Sequence, residues 1–124
     1  MTEVKLAQFS KQQYVNLETY RKSGHAVRTP LWFIEAQGVL YMRTPAASAK
    51  VRRIRHNPHV RVVPSDVRGN PVGQWVEGEA RLIPAEEAEW VNHLVKHKYG
   101  LLKRLIDIRS RLKGTEYVVI AVHL

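Results

Sequence analysis

The run Ser48-Ala49-Lys50-Val51-Arg52-Arg53-Ile54-Arg55-His56 holds the densest chemistry in the chain. Ala47, Val51 and Ile54 share one helical face, and Ser48 is a good N-cap, so the spacing predicts a short helix ended by Asn57-Pro58. Lys50 then falls in the first turn, where a cation opposes the helix dipole by a few tenths of a kcal/mol. An anion at the helix start reverses that sign, because backbone N–H groups, the Ser48 hydroxyl and Lys50 would converge on it. A phosphate group suits such a place. The same residues also fit a solvated basic helix, and Arg52, Arg53 and Arg55, pointing away from the apolar face, fit a nucleic-acid contact.

Other candidate groups are less convergent. Glu89, His93 and His97 follow an i, i+4, i+8 pattern, and His56 and His59 straddle Asn57-Pro58, but no further ligand accompanies either set. They read as solvated helix residues, and no metal site is expected. No G-x-S-x-G, H-E-x-x-H, Walker loop or G-x-G-x-x-G occurs, and no catalytic residue can be named. Any reactive group would therefore come from a cofactor. Trp32, Phe33 and Tyr41 sit on the strands flanking the basic helix, placed either for core packing or for a planar ligand.

The elements that must position these residues are mostly strands. Tyr14–Tyr20 alternates polar with β-branched and aromatic residues and stops at the turn Arg21-Lys22-Ser23-Gly24. His25–Ile34 follows, with Pro30 marking an edge or a bulge. Glu35-Ala36-Gln37-Gly38 turns the chain into Val39–Thr44, which completes an antiparallel meander. After the helix come a strand at His59–Val63, a loop at Ser65–Pro71 and an alternating strand at Gln74–Ile83. Pro84 opens a helix that ends before Gly100, and Leu101, Leu105, Ile108 and Leu112 pattern a second. Thr115–Leu124 is a last strand, apolar on both faces, that belongs in a barrel interior or against a partner chain. The expectation is a mainly β (α+β) domain with six strands, a short helix among them and a helical hairpin before the final strand.

Composition narrows the setting. A chain of 124 residues suits one domain spanning 1–124. The absence of cysteine excludes disulfides, thiolate metal sites and a cysteine nucleophile. No apolar run approaches the ~20 residues of a membrane helix, and the first residues lack a signal-peptide core, so a cytoplasmic protein is expected. Twenty Lys+Arg against eleven Asp+Glu give a net charge of +9. Residues 1–62 hold eleven basic and three acidic groups, +8 of that total. Such a field favours a polyanion: nucleic acid, an anionic membrane or a phosphorylated ligand.

The order of parts is then recognisable. Arg28-Thr29-Pro30-Leu31-Trp32-Phe33, Tyr41-Met42-Arg43-Thr44, Ser48 to Arg55 and Asn57-Pro58-His59-Val60 resemble the pyridoxamine 5'-phosphate oxidase-like flavoproteins. They are most similar to that group's flavin/deazaflavin oxidoreductases, and Tyr14–Gly24 and Val76-Glu77-Gly78-Glu79-Ala80 fit the same pattern. The resemblance implies a six-stranded antiparallel split β-barrel, a homodimer, and FMN or 8-hydroxy-5-deazaflavin (coenzyme F-420) bound at the subunit interface. By similarity, Arg28, Thr29, Pro30, Leu31, Trp32 and Phe33 line the flavin ring, partly through backbone groups. Arg43 and Thr44 lie beside the ribityl chain and phosphate, Ser48, Ala49 and Lys50 hold the phosphate, and Gln74 lies near the partner chain's contact with the flavin. The C-terminal extension with which pyridoxamine oxidases bind their vitamin substrate is missing, so that reaction is not expected. The implied activity is hydride transfer between the cofactor and a small organic substrate. A basic nucleic-acid-binding module and a flavin sensor or carrier without turnover are the alternatives.

Overall fold

A computed structural model describes residues 6–84, 87–91, 93 and 116–124. Seven strands form one antiparallel sheet: β1 Tyr14–Tyr20, β2 Ala26–Trp32, β3 Ile34–Ala36, β4 Val39–Pro45, β5 His59–Ser65, β6 Val76–Pro84 and β7 Tyr117–His123. The helix α1, Ala49–His56, lies between β4 and β5 and buries Val51 and Ile54, while Ala47 before it stays exposed.

The sequence predicted one strand at His25–Ile34; the chain divides it at Phe33 into β2 and β3, which makes seven strands rather than six. The division matters because β2 pairs with β1 while β3 pairs with β4. Strand order is β2-β1-β5-β6-β7-β4-β3, so the expected meander does not form: β2 and β4 share no ladder, and the two hairpins stand at opposite ends of the sheet. In a flat sheet the two edges of seven strands would lie about 29 Å apart at ~4.8 Å per strand. Yet β2 and β3 are separated by Phe33 alone, a joint that spans at most ~7 Å. The sheet must therefore curl into a barrel whose seam runs past Phe33. Pro30 is tolerated because β2 is an edge strand whose outer side needs no donor.

The barrel interior is filled by Val15 and Leu17 of β1, Leu40 and Met42 of β4, Val60 and Val62 of β5, and Ile120 and Val122 of β7. Phe33 plugs the seam, 1% exposed and edge-to-face with Phe9 at 5.9 Å. β7, apolar on both faces as the sequence indicates, lies between β6 and β4. Its outer side, through Val119, packs on Ile34, Ala88 and Val91, so residues of its own chain cover it. Most of the expected helical hairpin, its second helix included, lies outside the described residues. No helix among the described residues is long and apolar enough to cross a membrane.

Candidate cofactor site

The junction of β4 and α1 is held by two backbone bonds: the Ala46 N–H donates to the Glu116 carbonyl at 2.9 Å and the Ser48 N–H to the Pro45 carbonyl at 3.1 Å. These bonds fix the corner from which Thr44 and Ser48 project. Thr44 follows Leu40 and Met42 on the inner face of β4 and is 1% exposed, with no hydrogen-bond partner for its Oγ1. Ser48 adopts the extended backbone of an N-cap (φ −69°, ψ 155°), yet its hydroxyl does not cap the helix. Its Oγ is likewise buried and without a partner. A buried hydroxyl left unsatisfied costs about 1–3 kcal/mol, and here two stand within one strand–helix corner. No acidic residue occupies the first turn of α1 to offset the positive helix end. Lys50 is half-buried in that turn, and burial, aided by the charge of Arg53, holds its ammonium below the usual lysine range. Two hydroxyl donors, free helix N–H groups and a desolvated ammonium fit the phosphate of a cofactor.

Beside this corner runs a groove of about 290 Å³. One wall is Tyr20, Arg21 and Lys22, where β1 passes into its tight turn; the other is Ala49, Arg52, Arg53 and His56 of α1. The helical residues follow i, i+3, i+4, i+7, one face of the helix. Arg53 is anchored by its Nε, which donates to Thr19 Oγ1 at 2.6 Å, and Arg52 donates from Nη1 to the Ala47 carbonyl at 3.1 Å. Among the described residues no acid lines the groove. Burial first, then the neighbouring charges of Arg21 and Arg52, pull the Arg53 guanidinium below its ordinary value. This clustering of like charge is relieved by an anionic occupant.

The stretch Arg28 to Phe33 does not act as one surface. Strand alternation puts Arg28 on the outer face, in a row with Glu18 and Arg61 across β2, β1 and β5. Glu18, 1% exposed, accepts from Arg61 Nε at 2.7 Å and Tyr20 Oη at 2.6 Å on Oε1, and from Arg28 Nε at 2.8 Å and Arg61 Nη2 at 3.1 Å on Oε2. The Arg61 bond, reinforced by Tyr20 and Arg28 against the cost of burial, lowers its pKa to about 2. Both guanidiniums lie over the Trp75 ring, Arg28 at 4.6 Å and Arg61 at 5.1 Å from its centroid. Thr29 is half-buried, Pro30 is exposed opposite Asn16, Leu31 packs on the barrel core, and Trp32 tilts against Tyr14 at 6.4 Å. The Phe33 side chain fills the seam and presents no ring face outside it.

The remaining expected residues are placed singly. Arg43 lies on the outer face of β4 with its guanidinium 4.0 Å from the Tyr117 ring centroid. Gln74 is clamped through its backbone: its N–H donates to Gln8 Oε1 and its carbonyl accepts from Gln8 Nε2, both at 2.8 Å. The fold thus brings Thr44, Ser48, Ala49 and Lys50 together, and divides the β2 residues between two faces. Sequence reasoning left Tyr20, Arg21, Lys22 and His56 out of the site. The i, i+3, i+4, i+7 spacing of Ala49, Arg52, Arg53 and His56 was the signal available for the helical wall. Of the expected helix face Glu89, His93 and His97, His97 lies outside the described residues, and among those described no three His, Cys, Asp or Glu come together.

The sequence profile of the pyridoxamine 5'-phosphate oxidase family matches residues 1–123. The chain belongs to this family. Solved structures agree on the fold, a PNPOx-like split barrel. A putative pyridoxamine 5'-phosphate oxidase from Listeria innocua is 19% identical, with a TM-score of 0.67 over 98% of this chain and 90% of that one. An F420 reductase is 20% identical, with a TM-score of 0.62 over 95% and 90%. HutZ, a heme storage protein from Vibrio cholerae, is 15% identical, with a TM-score of 0.70 over 98% and 87%. At these identities the likeness is one of fold. A search among curated proteins finds no match to the sequence.

Proposed function

We propose that this protein binds FMN or 8-hydroxy-5-deazaflavin (coenzyme F-420) and is an oxidoreductase acting on a small organic substrate. The observation that carries the reading is the corner of β4 and α1, where Thr44 and Ser48 bury hydroxyls without partners at a helix start that has no acid. The bound ring would supply the hydride chemistry. The chain's part is to grip and to orient. Thr44 and Ser48 donate to phosphate oxygens, Lys50 adds charge from its half-buried position, and the backbone of β2 borders the ring. The groove along α1 favours the deazaflavin coenzyme, whose acidic tail its cations would hold. A homodimer with the Gln74 segment of one copy beside the cofactor of the other completes the site in this reading. The F420 reductase among the fold neighbours supports it, and HutZ shows that the same barrel also occurs in a protein named for heme storage.

The test is the absorption spectrum and mass of the small molecule that copurifies, followed by titration of FMN and of the deazaflavin coenzyme. Light scattering checks the dimer, against which a 14 kDa particle at micromolar concentration would count. Tight DNA binding that falls by orders of magnitude between ~50 and ~200 mM salt, with no flavin uptake, overturns the proposal in favour of a nucleic-acid module.

A further inference from the structure

We infer that the outer face of β4, β7 and β6 carries a second small-molecule site, built for a small aromatic carboxylate. The ladders place Tyr41, Ala121 and Arg81 in one row across the three strands, with His123 two residues further along β7 on the same face. Ala121 has only a methyl group, so it forms a floor between two tall side chains. Glu87 and Trp90 supply a further wall, and Trp90 meets Tyr41 edge-to-face with ring centroids 4.9 Å apart. The cavity between them, open on one side to solvent, is about 340 Å³. That is the low end of the ~300–1,000 Å³ of small-molecule sites, room for one ring and a short arm.

Three features choose the ligand. Trp90 is 46% exposed, a large aromatic surface that a planar ring would cover. Arg81 has no hydrogen bond or ion pair among the described residues, and its planar fork matches a carboxylate. Glu87 at the rim repels further negative charge, which favours a singly charged acid over a polyphosphate. Tyr41 points to the opposite face of β4 from Met42 and Thr44, so this cavity is not the phosphate corner and the inference does not rest on the proposed function.

Benzoate titrated into the isotopically labelled full chain and followed by NMR tests the site. The three tryptophans give three indole signals, and Trp90→Phe identifies the one that matters. A saturable shift of the Trp90 signal, with Trp32 and Trp75 unmoved, is expected. Arg81→Gln, an exposed position whose fold the same spectrum verifies, should weaken benzoate about tenfold, the low end for a hydrogen bond to a charged group. Benzyl alcohol, which keeps the ring and loses the acid, should weaken by a similar factor. An unmoved Trp90 signal at millimolar benzoate, or equal affinity in Arg81→Gln, overturns the site. Benzylamine, which keeps the ring and reverses the charge, binding more tightly than benzoate overturns the choice of ligand, and FMN moving the same indole signal overturns its separation from the cofactor.

Discussion

Replacing Thr44 by valine keeps the shape and branching of the side chain and removes its hydroxyl. In the free protein that hydroxyl is buried with no partner, so its loss removes an unmet desolvation cost. The expected gain is about 1–2 kcal/mol, within the range for a buried unsatisfied group. For a domain of this size each kcal/mol moves the melting temperature by roughly 3–6 °C, so calorimetry should find the free variant more heat-stable than wild type. With cofactor the sign reverses, because a hydrogen bond to a charged phosphate, about 1.5–3 kcal/mol, can no longer form. FMN or the deazaflavin coenzyme should then bind roughly ten- to over a hundredfold more weakly. The two measurements move in opposite directions, which no purely structural role for Thr44 would produce. A variant that melts earlier and binds the cofactor like wild type refutes the reasoning, since Thr44 would then have a structural partner and no ligand.

Lys50→Ala should weaken cofactor binding by roughly ten- to a hundredfold without destabilising the free protein; Arg55→Ala, on α1 but outside the groove, is the control in the same titration. Glu18 is held at a pKa of about 2 against 4.5 when free. Because the folded value is the lower one, its contribution is whole above pH 5 and is lost as pH falls toward 2, about 3 kcal/mol at most. Urea midpoints measured from pH 7 downward should show that loss in wild type and a flatter acid limb in Glu18→Gln, itself less stable at pH 7 because Arg28 and Arg61 lose their shared anion. Gly78→Ala should cost about 1–3 kcal/mol, since a Cβ there would stand 2.9 Å from the His123 carbonyl oxygen and 3.0 Å from Val122 Cγ1; a melting temperature equal to wild type would show that β6 and β7 can move apart.

Much of this molecule is legible from local pattern. Tyr14–Tyr20, the tight turn before β2 and the short helix after β4 are each set by residues that neighbour one another in sequence. The corner of β4 and α1 is open to local reasoning in part: Ser48 and Lys50 lie close along the chain and the dipole conflict of Lys50 needs no tertiary knowledge, whereas Thr44 enters through the family resemblance. The break at Phe33 carries no such local mark. Only the demand that one segment serve both edges of the sheet sets it. Arg28 could not be assigned to Glu18 without the cross-strand register, nor could Arg21 and Lys22 be placed against α1, whose first residue lies more than twenty-five positions away. β7, apolar on both faces, turns Ile120 and Val122 to the barrel interior as that pattern implies, but no local signal names Ala88 and Val91 as the residues packed on its other side.

The place of β7 also has a consequence for how the molecule forms. It is the last strand in chain order, yet it lies between β6 and β4 and is the only one laddered to both. Before it arrives, β2-β1-β5-β6 and β4-β3 are two separate sheets, joined by Phe33 and by the segment that carries α1, and the edges that β7 will pair stand open. Both early hairpins involve near neighbours and can zip quickly, whereas the β4–β7 ladder joins residues more than seventy positions apart, the slow kind of contact. On a ribosome the growing chain must therefore wait as an open, sticky pair of sheets until β7 emerges and slots between them. Chaperone demand and aggregation risk should concentrate in that interval.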